Sequence, residues 1–291
     1  NDRGYFAAGG TGAGKSTTLN TVLMFKNPES KMVSVEDTQE LQPYEPNTTQ
    51  LVTRDGLNED DEISMRDLGN YVLRMRPEYI IYGEARGEEI QDEIEFMNTG
   101  HTAFTTFHAG NMKTLSSRLK DNGVSVRSQE ALHLAGFQDE LINNETGNRM
   151  RRCRSIVEVG EYNENNSDDE FDNLEKQTIW KYNKMKENTE EEKFEFQLDS
   201  YTDSITIQEI QEDTGYTDDR VNEEIEVRTE ILQELVDKDI EDVDIIKEVI
   251  NSYQRNVTFY EPKENPVYKN IMSDNPKFLS RGDYNNQGDN Q

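Results

Sequence analysis

Two hydrophobic periods alternate along the first 160 residues. "YFAAG" (5–9) is a short unbroken apolar run of strand length, and "STTLNTVLMF" (16–25) follows it with Leu19, Val22 and Leu23 on one face of a helix. "KMVSVED" (31–37) predicts a strand that ends in two carboxylates. In "ISMRDLGNYVLRMRPEY" (63–79), Met65, Leu68, Val72 and Met75 recur at helical spacing, with Ser64 as N-cap and Pro77 as the stop. "YIIYGEARG" (79–87) opens on a buried strand, and "EEIQDEIEFMNTG" (88–100) carries Ile90, Ile94 and Met97 on one helical face. "HTAFTTFHAGN" (101–111) is a strand running into a loop. Strands alternating with helices predict an α/β domain with a mostly parallel sheet and its ligand at the strand C-termini.

After "RRCRSIVEVGEY" (151–162) the pattern changes. "NENNSDDEFDNLE" (163–175) is polar throughout and predicts an exposed, mobile connection. "QTIWKYN" (177–183) and "KFEFQL" (193–198) form a β-hairpin around an acidic turn. Helices follow: "SITIQEIQEDTG" (204–215) closed by Gly215, one from about 219 with Val221, Ile225, Leu232 and Leu235 as its apolar stripe, and "VDIIKEVINSYQ" (243–254). The expected organisation is a core over 1–160, an acidic linker, hairpin and helical region over 161–255, and a disordered tail over 256–291.

The first strand–helix junction carries chemistry. "GGTGAGKSTT" holds Gly9, four residues and then Gly14-Lys15-Ser16, the full G-x-x-x-x-G-K-[ST] spacing. Glycines let successive backbone N–H groups point at phosphate oxygens, and the following helix N-terminus favours the anion. Gly9, Thr11, Gly12, Ala13, Gly14, Lys15, Ser16 and Thr17 are therefore the expected nucleotide-binding residues. Lys15 would reach the β- and γ-phosphates of the nucleotide, and the Ser16 hydroxyl would ligate Mg²⁺.

Charge is the outlier of the composition: 60 acidic against 31 basic residues give a net charge of -29. The acids run through the whole chain, which points to a halophilic protein whose carboxylate repulsion is screened by salt. Cys153 is the one cysteine, so there is no intramolecular disulfide. No apolar run approaches the 18 residues of a membrane span. The start "NDRGYF" lacks a signal-peptide pattern and opens almost on the first strand, so the chain is expected to be a piece of a longer protein.

Beyond the phosphate loop, "SVEDTQEL" (34–41), "LVTRDG" (51–56), "DLGNYVLRMRPEYIIYGEARGEE" (67–89) and "TGHTAFTTFHAGN" (99–111) occur in order. Together they resemble the secretion ATPase family that powers type II secretion, type IV pili and archaeal flagella. The resemblance is strong over residues 4 to about 160. It extends weakly to about 255, where "RTEILQELVDKDIEDVDIIKEVINSYQRN" is similar to the archaeal branch. The family implies a RecA-like P-loop NTPase core followed by a small β-hairpin and a C-terminal helical region. It implies catalytic roles for Glu36 (orienting or deprotonating the attacking water), Glu84 (holding Mg²⁺, with Ser16) and His108 (donating to the γ-phosphate). Arg86 ranks first among Arg54, Arg74, Arg76 and Arg86 as an interface or phosphate contact. His101 belongs to the same His box but equally suits a helix cap, and His133, Trp180 and Cys153 read as structural. Gly10 stands where the family more often has proline.

The resemblance further implies an ATP-hydrolysing subunit of a cytoplasmic homo-oligomeric ring, a hexamer, docked on a polytopic membrane platform protein. The family's arginine fingers sit in a preceding domain, so these residues alone are expected to hydrolyse ATP weakly. Two alternatives stay open: a conjugation-type DNA-transfer motor on the same scaffold, and a non-enzymatic DNA-binding adaptor. The second rests on a helix–Gly turn–helix outline over 205–236, whose acidic composition opposes DNA binding, so no direct nucleic-acid contact is expected.

Overall fold

The computed structural model describes residues 3–43, 47–56, 62–85, 87, 89–142, 147–183, 193–273 and 276. The chain divides into two compact units: Asn1–Asn20 with Ser30–Asp213, and Thr21–Glu29 with Thr214–Gln291.

The first unit is built on β1 (Tyr5–Gly9), β2 (Met32–Glu36), β3 (Thr48–Val52), β4 (Tyr79–Tyr82), β5 (Thr102–Phe107), β6 (Leu134–Ile142), β7 (Arg149–Tyr162), β8 (Leu174–Asn183) and β9 (Lys193–Phe196). Among the described residues these form a single sheet in the order β3-β2-β4-β5-β1-β6-β7-β8-β9. β3 through β6 pair in parallel, and β6 to β9 continue antiparallel. The parallel part, entered by a phosphate loop after β1, is a RecA-like P-loop NTPase core. The expected hairpin is β8 and β9, hydrogen-bonded onto the same sheet through β7.

Helices α1 (Lys15–Leu23), α2 (Met65–Met75), α3 (Glu89–Asn98) and α4 (Met112–Asp121) connect the parallel strands. α2 starts where its sequence predicts: Ser64 and Asp67 form a reciprocal capping box, and Met65, Leu68, Gly69 and Val72 are buried. It stops at Arg76, which takes the left-handed conformation (φ 51°) one residue before Pro77. β1, β2 and β4 are buried almost throughout, which explains why they read as continuous apolar runs.

The connection 163–173 is exposed but ordered, unlike the expected mobile segment. Asn173 accepts from Ser167 N at 2.6 Å and donates to Ser167 O at 3.0 Å, and Asp169 and Ser167 cap further turns. Its Asn, Asp and Ser side chains supply the hydrogen bonds that apolar packing does not. Helix α5 (Ile205–Thr214) is capped by the buried Glu158 of β7, which accepts from Ser204 Oγ and from Ile205 N at 2.9 Å.

In the second unit, α6 (Asp218–Asp237), α7 (Val243–Asn256) and α8 (Pro266–Ile271) share a small core of Val227, Ile231, Leu235, Val249, Tyr253, Val267 and Ile271. The buried face of α6 is Val221, Val227, Ile231 and Leu235, so the expected stripe holds at Val221 and Leu235, while Leu232 is exposed and Ile225 half-buried, with Val227 and Ile231 buried instead. The disordered tail expected from 256 instead folds into α8, started by Asn265 and Pro266 and pinned by Val267 and Ile271. Residues 277–291 lie outside the described residues.

Candidate functional site

The sheet order puts β4 and β5 between β2 and β1, so four neighbouring strands deliver their C-terminal residues to one edge. β1 delivers the phosphate loop, β2 delivers Glu36 and Asp37, β4 delivers Gly83 and Glu84, and β5 delivers His108. A cleft of about 510 Å³ lies there, lined by Thr11, Gly12, Gly14, Lys15, Ser16 and Thr17 on one side and Glu36, Asp37, Glu40 and Glu84 on the other.

The loop needs its glycines for different reasons. Gly12 (φ +76°) and Gly14 (φ +93°) occupy the left-handed region. Gly9 has no room for a side chain, since a Cβ would lie 2.5 Å from Gln138 O. At Gly10 nothing lies within 4 Å of a Cβ, so space does not restrict the position where the family carries proline. Ala13 is buried beneath the turn. α1 begins at Lys15, and the Thr18 N–H makes a helical bond to Gly14 O at 2.9 Å; first-turn N–H groups of a helix are left for a ligand. Lys15 is almost buried, with Nζ 3.1 Å from Gly10 O.

The carboxylates are not equivalent. Glu36 is 0% exposed, and its Oε1 accepts the N–H groups of Glu40 and Leu41, each at 2.9 Å. Its carboxylate therefore holds the 37–41 turn in place. Gly83 opposite it is obligatory, because a Cβ would lie 2.9 Å from Glu36 Cγ. Glu40, at the far side of that turn, accepts the Ser16 hydroxyl at 2.5 Å. Asp37 accepts from Thr53 Oγ1 at 3.1 Å, and Glu84 is half-buried after β4. A serine hydroxyl ringed by carboxylates, next to an ammonium and loop N–H groups, fits a Mg²⁺–polyphosphate pair. Mg²⁺ takes oxygen ligands and usually shares them between one or two carboxylates and the phosphates. Among the described residues no group of three or more His, Cys, Asp or Glu is placed to hold a metal by itself.

His108 lies one step aside, in an adjoining cleft of about 550 Å³ that shares Thr11 and Glu84 with the first and adds Ala85, Phe107 and Arg118. His101 precedes β5 at the opposite end of that strand, roughly 20 Å away at 3.3 Å per residue, and contacts Thr99 Oγ1 through Nδ1 at 3.2 Å. It belongs to the helix-to-strand turn, not to the cleft. Arg86 lies outside the described residues. Arg74 stacks over Tyr71 on α2, and Arg76 is its exposed left-handed cap. Arg54 bridges to Ile63 through its backbone. His133 accepts the Gly4 N–H at 3.1 Å, a structural bond at the foot of β1.

Two cleft residues escaped the sequence reading. Glu40 sits in "SVEDTQEL", where spacing alone cannot rank it above Glu36. Arg151 comes from the antiparallel β7, outside every motif, and its Cδ would lie 3.3 Å from a Cβ at Gly14. It adds a cation over the phosphate loop.

Comparison with known proteins gives the family. The family described as "Type II/IV secretion system protein" matches residues 4–188. The chain belongs to that family. It is 34% identical over 248 residues to the uncharacterized protein MJ0900 of Methanocaldococcus jannaschii, covering 84% of this chain and 43% of that protein. It is 29% identical over 163 residues to the conjugal transfer protein TrbB of Rhizobium radiobacter (54% of this chain, 49% of TrbB). It is 31% identical over 115 residues to the type IV pilus ATPase PilU of Pseudomonas aeruginosa (38% of this chain, 29% of PilU). The chain thus spans less than half the length of these three relatives. No helix among its described residues is long and apolar enough to cross a membrane.

Proposed function

We propose that the chain is the ATP-hydrolysing core of a motor that assembles a type IV pilus, an archaeal flagellum or a type II/IV secretion apparatus. The observation that carries this reading is the convergence of Lys15 and the loop amides with Glu36, Glu40 and Glu84 in one cleft at the strand C-termini. Lys15 and Arg151, both lining the cleft at the phosphate loop, would neutralise phosphate oxygens. Ser16 and Glu84 would hold Mg²⁺, which when bound draws charge from the β- and γ-phosphates. Of Glu36 at the end of β2 and Glu40 in the turn after it, Glu40 has a carboxylate that is not held by turn amides and faces the cleft beside Ser16, so it is the candidate for orienting water there. Glu36, bound to two amides, supports the turn that presents it. This reassigns to Glu40 the water-orienting role that the family resemblance implied for Glu36.

The membership of the family supports a cytoplasmic homo-oligomeric ring, a hexamer, acting on a polytopic membrane platform protein, with Arg86 and a preceding domain completing the site. The charge of -29 supports a halophilic, archaeal setting. The likeness to a conjugal transfer protein favours the second reading, a DNA-transfer motor on the same scaffold. Calorimetric titration with Mg·ATP tests the core claim. The parent chain binds and Lys15→Ala does not; equal affinity in both overturns the site.

A further inference from the structure

We propose that Arg118 is the positioning residue for His108, setting where the imidazole meets the terminal phosphate; the proposal rests on the nucleotide reading above. The imidazole lies in the side cleft with Glu84 and Thr11, half-buried, and among the described residues its ring makes no hydrogen bond or ion pair. With no described side chain bonded to the ring, its position follows the backbone of the loop after β5. That loop is short. Four residues after Phe107, Asn111 already caps α4, accepting from Thr114 N at 2.9 Å.

Arg118, two turns into α4, donates from one guanidinium nitrogen to the His108 carbonyl at 2.6 Å. Arg118 is exposed, so solvent weakens the bond, but a charged donor at this distance still favours one position of a single peptide unit. Arg118 is itself held at the backbone: its carbonyl accepts both Asn122 N and Asn122 Nδ2. The neighbouring cation on this helix, Lys120, is engaged with Glu170 and does not compete. The tether thus runs from the body of α4, through Arg118, to the peptide that carries the imidazole. Loop geometry of this kind matters because displacing a reacting group by 1 Å can cost about 100-fold.

A merely structural Arg118 would stabilise α4 without affecting what His108 reports. The chain has three histidines, so ¹⁵N-imidazole spectra resolve His108 from His101 and His133. In the 291-residue protein, Mg²⁺ with AMPPNP should shift the His108 ring signals and Mg²⁺ with ADP should not. Arg118→Ala should abolish the AMPPNP shift while calorimetric AMPPNP affinity and the His133 signals stay unchanged. Arg118→Lys, which keeps one cationic donor for the carbonyl, should restore it. An undiminished shift in Arg118→Ala, or no restoration by lysine, overturns the positioning role alone. A parent His108 that ignores AMPPNP while the nucleotide binds also overturns it. Failure of the parent chain to bind AMPPNP at all overturns the nucleotide site, and this proposal with it.

Discussion

Glu93 is the most exposed weakness of the core, and it can be tested by one isosteric change. The residue sits on the buried face of α3 at 0% exposure, and neither carboxylate oxygen reaches a hydrogen-bond partner. Burial pushes its carboxyl well above the ordinary carboxylate value of 4.5; the Thr105 hydroxyl offsets part of this, and the charge of Glu89 adds to it. Thr105 gives its own proton to Thr106 O, so the offset is small. In the folded protein Glu93 therefore stays protonated at a pH where the unfolded chain has ionised. Below about pH 4.5 the two states bind the same proton and Glu93 adds no pH dependence. Above it, the unfolded state gains, and stability falls by about 1.4 kcal/mol per pH unit for as long as the folded carboxyl remains neutral. Glu93→Gln keeps the shape and removes the titration. Denaturant unfolding of parent and variant from pH 4 to 8 at fixed salt should give curves that coincide at the acid end. They should then diverge in favour of the variant, about tenfold in the folding equilibrium per pH unit. The 59 other acidic residues titrate in both proteins and largely cancel from the difference. Parallel curves, or a variant that is weaker throughout, would refute the buried neutral acid.

Other consequences are more direct. Gly83→Ala should lose about 1–3 kcal/mol in denaturant unfolding, because the Cβ would press on a pinned, buried Glu36 Cγ at 2.9 Å; an unchanged midpoint contradicts the packing. In the complete motor, Glu40→Gln should lower ATP turnover by about 10²-fold or more with nucleotide affinity retained, the scale of losing a positioned base. Glu36→Gln should lower turnover together with stability. Reversed behaviour would return the water-orienting role to Glu36. The melting temperature should rise from low to molar KCl, where the Debye length falls to about 3 Å; a flat or falling profile removes the halophilic reading.

What was legible in the sequence was whatever local chemistry dictates. Ser64, Asp67 and Pro77 delimit α2 because a capping box and a proline act over three residues. The phosphate loop was legible because backbone geometry demands glycine at 9, 12 and 14. β3, β6 and α4 carried no comparable signal. β3 is a half-buried edge strand of Thr and Gln, and α4 is half polar. Glu40 and Arg151 became visible only through tertiary placement: a turn folded by Glu36 brings one to Ser16, and an antiparallel strand brings the other over Gly14. The middle of the α6 stripe was misread because Leu232 is as apolar as the Ile231 beside it, and the packing partners α7 and α8 decide between them. α8 lay in a stretch whose composition suggested a tail, yet two buried residues hold it.

The fit of Gly83 against Glu36 also bears on how such a cleft can change over generations. Because the glycine is confined by the side chain opposite, the two positions form one heritable unit. A side chain at 83 is unfavourable while glutamate stands at 36, but shortening residue 36 removes the nearest atom and eases the penalty. The loss from the pair together should then be smaller than the sum of the two separate losses. Change at this wall of the cleft is therefore coupled: a side chain at 83 costs less once residue 36 has been shortened.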